Sequence, residues 1–271
     1  MIEFKNATKK YGDRLVLDNV SLQIQGGAWA WLTGASGAGK TTLIHALIGA
    51  IPLSSGEITV DGYAVTKFNQ KALQEYRRKL GIVFQDYKLL PKKTVYENIA
   101  FAMEVCGYSE NQIAERVPEI LEKVNLSQAR HHFPYMLSGG EKQRTAIARA
   151  LIHEPRLIIA DEPTGNLDPQ SALEIVHLFQ KLHTEGATVI FATHNLTLID
   201  HFKKDQIHVE GGRVSLSSSG SAKVFILTKC MQRPVQLNTK AGVLYAKRLS
   251  GFQAGFPMEL KLLNGCPLSR G

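Results

Sequence analysis

GASGAGKT, the stretch from Gly34 to Thr41, decides the fold of this chain. It matches the pattern G-x-x-x-x-G-K-[ST], and it stands between an apolar run predicted as a strand, Ala28 to Thr33, and a run predicted as a helix, Thr41 to Ile48. Glycines allow the tight turn that points successive backbone N–H groups inward, and the helix that follows adds the positive end of its dipole. The stretch therefore predicts a phosphate-binding loop at a strand-to-helix junction.

The side chains of this loop have separate tasks. The ammonium group of Lys40 is expected to reach the β- and γ-phosphates of a nucleotide, and the hydroxyl group of Thr41 is expected to ligate Mg²⁺. A plain glycine turn is the alternative, but four fixed positions arise by chance in roughly one chain in a hundred of this length. We expect nucleotide contacts from Gly34, Ala35, Ser36, Gly37, Ala38, Gly39, Lys40, Thr41 and Thr42.

An acidic pair closes a second apolar run. Leu157 to Ala160 is typical of a strand buried on both faces, and Asp161 and Glu162 follow it directly. Ligands bind at the carboxyl ends of parallel strands, so Asp161 is placed to hold Mg²⁺ and Glu162 to orient and deprotonate an attacking water. Such a pair is by itself more often a charge at a helix N-terminus. Its position relative to the phosphate loop favours the catalytic interpretation.

The stretch LSGGEKQR, from Leu137 to Arg144, supplies a further candidate phosphate contact. Ser138, Gly139 and Gly140 precede an alanine-rich helical run, and they offer a hydroxyl group and bare backbone donors at a helix N-terminus. One chain therefore carries two different candidate contacts for a nucleotide phosphate.

The motifs occur in an order that resembles one family, the nucleotide-binding subunits of ABC ATPases. The resemblance runs from Met1 to about Leu216. It implies an α/β fold of the P-loop NTPase class and ABC type, with a RecA-like core, an antiparallel β subdomain and an inserted helical subdomain. Its elements are the phosphate loop, Gln85 after the strand Leu80 to Phe84, the Leu137 stretch, the acidic strand, Asn166-Leu167-Asp168, and His194 after the strand Thr188 to Ala192.

The resemblance assigns roles to further residues. Tyr11 stands where the family has an adenine-stacking aromatic ring, and Gln85 where a glutamine senses Mg²⁺ and the attacking water. His194 resembles the switch histidine that contacts the γ-phosphate, and Asp168 is expected to make contacts across a dimer. Without these neighbours in register, turn packing for Tyr11, a strand cap for Gln85 and a structural role for His194 would be the default interpretations.

The family's arrangement also accounts for the two phosphate contacts. It implies a head-to-tail homodimer in which Ser138, Gly139 and Gly140 of one subunit face the ATP of the other. Two identical composite sites result, each holding ATP and Mg²⁺.

Within the family, the segment from Phe84 to Ile99 resembles cell-division ATPases of the FtsE group. The segment DEPTGNLD, Asp161 to Asp168, is shared with lipoprotein-release and macrolide-export ATPases, so it identifies only the wider group. We therefore expect an ATP-hydrolysing subunit that works with an FtsX-like membrane protein in cell division and control of cell-wall hydrolysis. The alternative is the ATPase subunit of a lipoprotein-release or macrolide/peptide exporter.

A soluble ABC ATPase of DNA repair or translation belongs to a different functional class. That class needs tandem cassettes, long coiled coils or zinc insertions, and the sequence shows none of them. No nucleic-acid partner is expected.

The charge of the chain is concentrated at its C-terminal end. We predict an ABC ATP-binding domain at 1–216, with its helical subdomain at about 94–154, and a basic tail at 217–271 that starts with the linker-like sequence SSSGS. Residues 215–271 include eight Lys or Arg and one acid, Glu259, whereas the whole chain has a net charge of +8. The tail could contact anionic lipid or be a poorly ordered terminus, and we favour the second interpretation because charge alone is a weak indication of a partner.

Composition and the lengths of the apolar runs limit the possible cellular locations of the protein. The chain is 44% hydrophobic and 21% charged, and no apolar run approaches the roughly 18 residues of a membrane span. The N-terminus lacks the basic-then-apolar profile of a signal peptide. Cys106, Cys230 and Cys266 are odd in number and widely spaced, which favours a reducing compartment. We expect a peripheral protein at the cytoplasmic face of the cell membrane.

Overall fold

The computed structural model describes residues 1–217 and 223–226, which form two sheets and seven helices. In chain order the elements are β1 (Ile2–Tyr11), β2 (Arg14–Ile24), β3 (Trp29–Thr33), α1 (Lys40–Leu47), β4 (Ser55–Val60), β5 (Tyr63–Ala64), α2 (Gln70–Arg78), β6 (Leu80–Val83), α3 (Val95–Val105), α4 (Glu110–Lys123), α5 (Gly139–Leu151), β7 (Leu157–Asp161), α6 (Pro169–Thr184), β8 (Thr188–Ala192), α7 (Leu196–His201), β9 (Asp205–Glu210), β10 (Arg213–Ser217) and β11 (Val224–Ile226).

The core sheet has six strands in the order β10-β9-β3-β8-β7-β6. Its pairs are parallel except for the edge strand β10, which runs antiparallel to β9. Every residue of β3, β7 and β8 is buried, because helices cover one face of the sheet, and α1 and the antiparallel sheet cover the other. The parallel arrangement brings the carboxyl ends of five strands to one edge of the sheet.

The second sheet is antiparallel and has five strands in the order β11-β2-β1-β4-β5. Phe4, Leu22 and Ile58 are fully buried on the face that it packs against the core. β11 pairs with β2 through Val224 opposite Ile24, so the strand-like run after residue 223 becomes the edge of this sheet. That edge lies beyond the predicted domain boundary at 216.

The helical region between 95 and 151 holds α3, α4 and α5. Each of the three begins with a capping box, formed by Thr94 and Glu97, by Ser109 and Gln112, and by Ser138 and Glu141. The apolar residues of α4 are buried, at Ile113, Val117, Ile120 and Leu121, and pack in the cluster that α3 and α5 share.

Several predicted elements are confirmed with small changes at their ends, as expected for helices that fray. The helix predicted at Thr41 to Ile48 is α1, and the strand predicted at Leu80 to Phe84 is β6. Helix α2 was missing from the prediction, because it has no fully buried residue to mark it. Among the described residues no helix is both long and apolar enough to cross a membrane.

Most of the predicted tail, together with Cys230 and Cys266, lies outside the described residues. Ser217 ends β10, and residues 223–226 join the antiparallel sheet.

Candidate active site

The predicted catalytic residues meet at the carboxyl edge of the core sheet. The phosphate loop follows β3, Gln85 follows β6, Asp161 and Glu162 end and follow β7, and His194 follows β8. Because β3, β8, β7 and β6 are adjacent and parallel, four separate sequence motifs are brought to one edge. A cleft of about 700 Å³ opens there, lined by the loop together with Tyr11, Gln85, Glu162 and His194.

The backbone of the phosphate loop needs its glycines. Gly34, Gly37 and Gly39 have φ values of 140°, 77° and 114°, a region that side chains with a Cβ rarely adopt. A Cβ on Gly34 would also lie 2.3 Å from the carbonyl oxygen of Val209, inside any allowed contact. The loop therefore packs directly against β9, and the sequence pattern reflects both the turn and this close approach.

Lys40 is held inside the loop that it serves. Its ammonium group donates to the carbonyl oxygens of Gly34 and Ala35, at 2.8 and 3.2 Å, and lies 3.5 Å from Glu162 Oε1. The side chain is only 7% exposed, so the cation is nearly removed from bulk water and partly neutralised by one carboxylate. A phosphate entering the loop would add negative charge beside a buried cation that has only one carboxylate near it.

Glu162 is fixed by its backbone and by a histidine. It adopts a left-handed conformation with φ of 51°, which costs a non-glycine residue roughly 1–2 kcal/mol, and its N–H donates to Ala192 O. His194 Nδ1 lies 2.8 Å from Glu162 Oε2. An ionised carboxylate can only accept, so Nδ1 is the donor in this contact.

Asp161 has the features of a cation ligand. It is 8% exposed, and its Oδ1 is buried without a hydrogen-bond partner among the described residues. Burial raises the pKa of this carboxyl group, while a hydrogen bond with the Thr41 side chain lowers it. An orphaned carboxylate oxygen beside a threonine hydroxyl suits a hard cation such as Mg²⁺, which prefers oxygen ligands.

The hairpin between β1 and β2 forms the side of the cleft where Tyr11, the candidate adenine-stacking residue, lies. Tyr11 is 48% exposed and stands opposite Arg14 in the strand register, and Val16 lines the cleft beside them. Lys9 Nζ lies 4.8 Å from the centre of the Tyr11 ring. Tyr11 was predicted from the sequence, whereas Arg14 and Val16 were not, although the two-residue turn Gly12-Asp13 already places Arg14 across from Tyr11.

The second phosphate contact does not line this cleft. Ser138 is exposed at the start of α5, where its hydroxyl accepts from Glu141 N at 3.2 Å and donates to Glu141 Oε2 at 2.8 Å. Asp168 is engaged in a similar way at the start of α6, where it accepts from Ser171 N. A Cβ on Gly139 would lie 3.4 Å from Leu167 Cδ2, and a Cβ on Gly140 would lie 3.3 Å from Ser171 Oγ.

A larger cleft, of about 810 Å³, lies at the opposite edge of the core sheet, where β7 and β8 begin. Arg116, Lys123, Glu154 and Glu185 are among the residues that line it. None of the predicted site residues lines this cleft, so its size does not make it the site of the chemistry.

Known proteins share both the motifs and the fold. The sequence model of the ABC transporter family matches residues 17–165, from within β2 to the loop after the acidic pair. The chain belongs to the ABC transporter family. Within that family it is an ATP-binding and ATP-hydrolysing subunit, and the predicted P-loop fold of ABC type is confirmed.

Relatives in several bacteria have one name. The chain is 46% identical to the cell division ATP-binding protein FtsE of Streptococcus pneumoniae over 79% of this chain and 94% of that protein. It is 41% identical to FtsE of Bacillus subtilis over 78% of this chain and 93% of that protein. FtsE of Escherichia coli is 42% identical over 73% of this chain and 90% of its own length. The predicted resemblance to the FtsE group is confirmed.

A solved ABC structure has the same fold. A dimeric ATP-binding cassette in a post-hydrolysis state, bound to ADP and Pi, superposes with a TM-score of 0.74 at 32% identity. The match covers 81% of this chain and 99% of that one.

Proposed function

We propose that two copies of this chain close head to tail around two ATP molecules and drive an FtsX-like membrane protein during cell division. Identities of 40–46% to FtsE proteins support the division role. The observation that carries the dimer is the separation of the site: one cleft holds the phosphate loop, Glu162 and His194, whereas Ser138 faces solvent elsewhere. A second subunit completes the site, and the mechanical output is the control of cell-wall hydrolysis.

The hydrolytic step uses groups already in contact. Glu162 takes a proton from the attacking water as the new bond to the γ-phosphorus forms and the bond to the β-γ bridging oxygen breaks. Lys40 balances charge on the β- and γ-phosphates, and His194 holds the carboxylate through Nδ1. The nucleotide and the water are held in place by Gln85, by the loop from Gly34 to Thr42 and by the ring of Tyr11.

Thr41, Asp161 and Gln85 are the residues that would hold Mg²⁺. When bound, the ion would offset the negative charge of the phosphates. The orphaned Oδ1 of Asp161 and its Thr41 neighbour support this assignment.

The proposed surface for the membrane partner lies beside the loop that follows Gln85. In the family, a helix of the membrane protein docks in the groove beside this loop, which here corresponds to Tyr87 to Tyr96. We place the complex at the cytoplasmic face of the membrane on this basis. Contact of the basic tail with anionic lipid stays a prediction that rests on charge alone.

Subunit mixing tests the composite site. A Lys40→Ala chain and a Ser138→Arg chain should each be inactive, because every site in either homodimer has one defect. Mixed together, they form heterodimers with one intact site, and about a quarter of the normal site number should return if subunits pair at random.

A second mixture is the matched control. Lys40 and Glu162 belong to the same half-site, so mixing Lys40→Ala with Glu162→Gln should restore nothing. Equal recovery in both mixtures, or normal turnover by Ser138→Arg alone, would contradict the composite site. Co-purification of a four-span membrane protein with one extracytoplasmic loop would support division, whereas a partner with a larger periplasmic domain would indicate export.

A further inference from the structure

The loop that carries Gln85 contains a strained turn. Tyr87 and Lys88 follow Gln85 closely and have φ values of 57° and 49°, so two consecutive residues with side chains adopt the left-handed conformation. Neither is glycine, asparagine or aspartate, the residues that tolerate this region best. Such a turn persists only where its surroundings hold it.

One arginine holds both residues of the turn. Arg149, on α5, donates from Nη2 to Tyr87 O at 2.7 Å and from Nη1 to Lys88 O at 2.5 Å. Burial lowers the pKa of its guanidinium group, so these two carbonyl oxygens replace water as its partners. The planar fork of arginine matches two neighbouring acceptors, which a lysine cannot do.

The rest of the loop is fixed on both sides of this clamp. Asn166 donates to Gln85 O at 3.4 Å, from the segment that follows the catalytic acids. Asn98, which is fully buried on α3, bonds with the backbone of Leu90, Lys93 and Thr94. The backbone of 85–94 is therefore fixed at three places by side chains from three other segments.

We infer that Arg149 is a positioning residue for Gln85, because it holds the strained turn that sets where the Gln85 side chain stands in the cleft. Helix α5, which carries Arg149, also carries Ser138 at its N-terminus. The clamp therefore connects the candidate contact for the nucleotide of one site to Gln85 in the other site. This inference rests on the proposed role of Gln85 in turnover.

Steady-state kinetics of the full-length ATPase test it. Arg149→Ala should lower kcat about ten- to a hundredfold, the cost of misplacing a catalytic group, while the KM for ATP changes less than about threefold because the phosphate loop is untouched. Arg149→Lys retains the charge but not the fork, and it should give an intermediate kcat. Arg156→Ala, an exposed arginine beyond the end of α5, is the matched control and should behave like the parent.

Rescue separates positioning from general damage to α5. Glycine adopts the left-handed region without strain, so adding Lys88→Gly to Arg149→Ala should restore part of kcat. Hydrogen exchange of the backbone at 84–94 should become faster in Arg149→Ala and slower again in the double variant. Unchanged exchange in Arg149→Ala, or a low kcat that Lys88→Gly leaves as it is, would overturn the inference.

Gln85→Ala distinguishes this inference from the proposed function. If Gln85→Ala lowers kcat but Arg149→Ala does not, the inference alone is wrong. If Gln85→Ala leaves kcat normal while Arg149→Ala lowers it, the arginine acts by another route, and both the role of Gln85 and the inference are wrong.

Discussion

Replacing Glu162 by glutamine removes a charge while conserving the shape of the side chain. The carboxylate is 12% exposed and stands between Lys40, at 3.5 Å, and His194, at 2.8 Å. A glutamine oxygen can still accept from His194 Nδ1, so the geometry survives. The amide cannot take a proton from water, and Lys40 loses its nearest carboxylate.

The two effects have opposite consequences for binding and turnover. Without a general base, kcat should fall by roughly 10²- to 10⁴-fold, which corresponds to about 3–5 kcal/mol of transition-state free energy. The affinity for ATP should stay equal or rise, since the γ-phosphate no longer meets a carboxylate next to Lys40. The variant should therefore hold ATP in long-lived dimers.

Phosphate release measures kcat, and equilibrium binding of a fluorescent ATP analogue measures affinity. Glu115→Gln, an exposed carboxylate on α4, controls for the loss of one negative charge. Turnover within about threefold of the parent at saturating ATP would refute the assignment of Glu162 as base. Loss of ATP affinity would refute the argument about Lys40.

Three further changes probe other parts of the chain. Asp161→Asn should abolish turnover yet raise the melting temperature at neutral pH. The pKa of Asp161 is raised in the folded protein, so ionisation of this carboxyl group lowers the stability of the fold as the pH rises above about 3.9. In thermal melts without Mg²⁺, the gain in melting temperature should therefore shrink as the pH is lowered toward that value. Tyr11→Ala should weaken ATP binding by about 5- to 150-fold in titrations, the worth of one stacked base, while Tyr11→Phe should retain it; equal affinities would exclude stacking. Deleting 227–271 should leave ATP binding and the melting temperature unchanged but reduce any sedimentation with anionic vesicles. Deleting 218–271 also removes β11 and should lower the melting temperature, because Val224 packs against the sheet and is only 2% exposed.

Much of the fold and of the site is readable from local sequence. The strands β3, β7 and β8 are short apolar runs with no polar interruption, and each is followed directly by chemically distinctive residues. A rule about parallel sheets predicts that Lys40 and Glu162 lie at one edge, whereas the place of His194 beside them was implied by the family resemblance. The helix caps at Thr94, Ser109 and Ser138 are local as well.

Other features depend on partners that are distant in the chain. Arg149 is 61 residues from Lys88, and nothing in its own neighbourhood distinguishes it from Arg144, the other arginine of α5. The pairing of β11 with β2 is set by an open sheet edge that only the folded domain presents. The positive φ of Glu162, Tyr87 and Lys88 left no mark in the sequence, because none of these residues is glycine.

The cap at Ser138 has a consequence for how long a closed dimer lasts. In the isolated chain the Ser138 hydroxyl already donates a hydrogen bond to Glu141 Oε2. A phosphate bound by the other subunit can accept a hydrogen bond from this hydroxyl only by displacing the Glu141 carboxylate. Closure on nucleotide is then an exchange of one anion for another, and its net free energy is the difference between two similar bonds. When phosphate departs, Glu141 is one helical turn away and recovers the hydroxyl, so each cycle returns the subunits to a state in which they can separate.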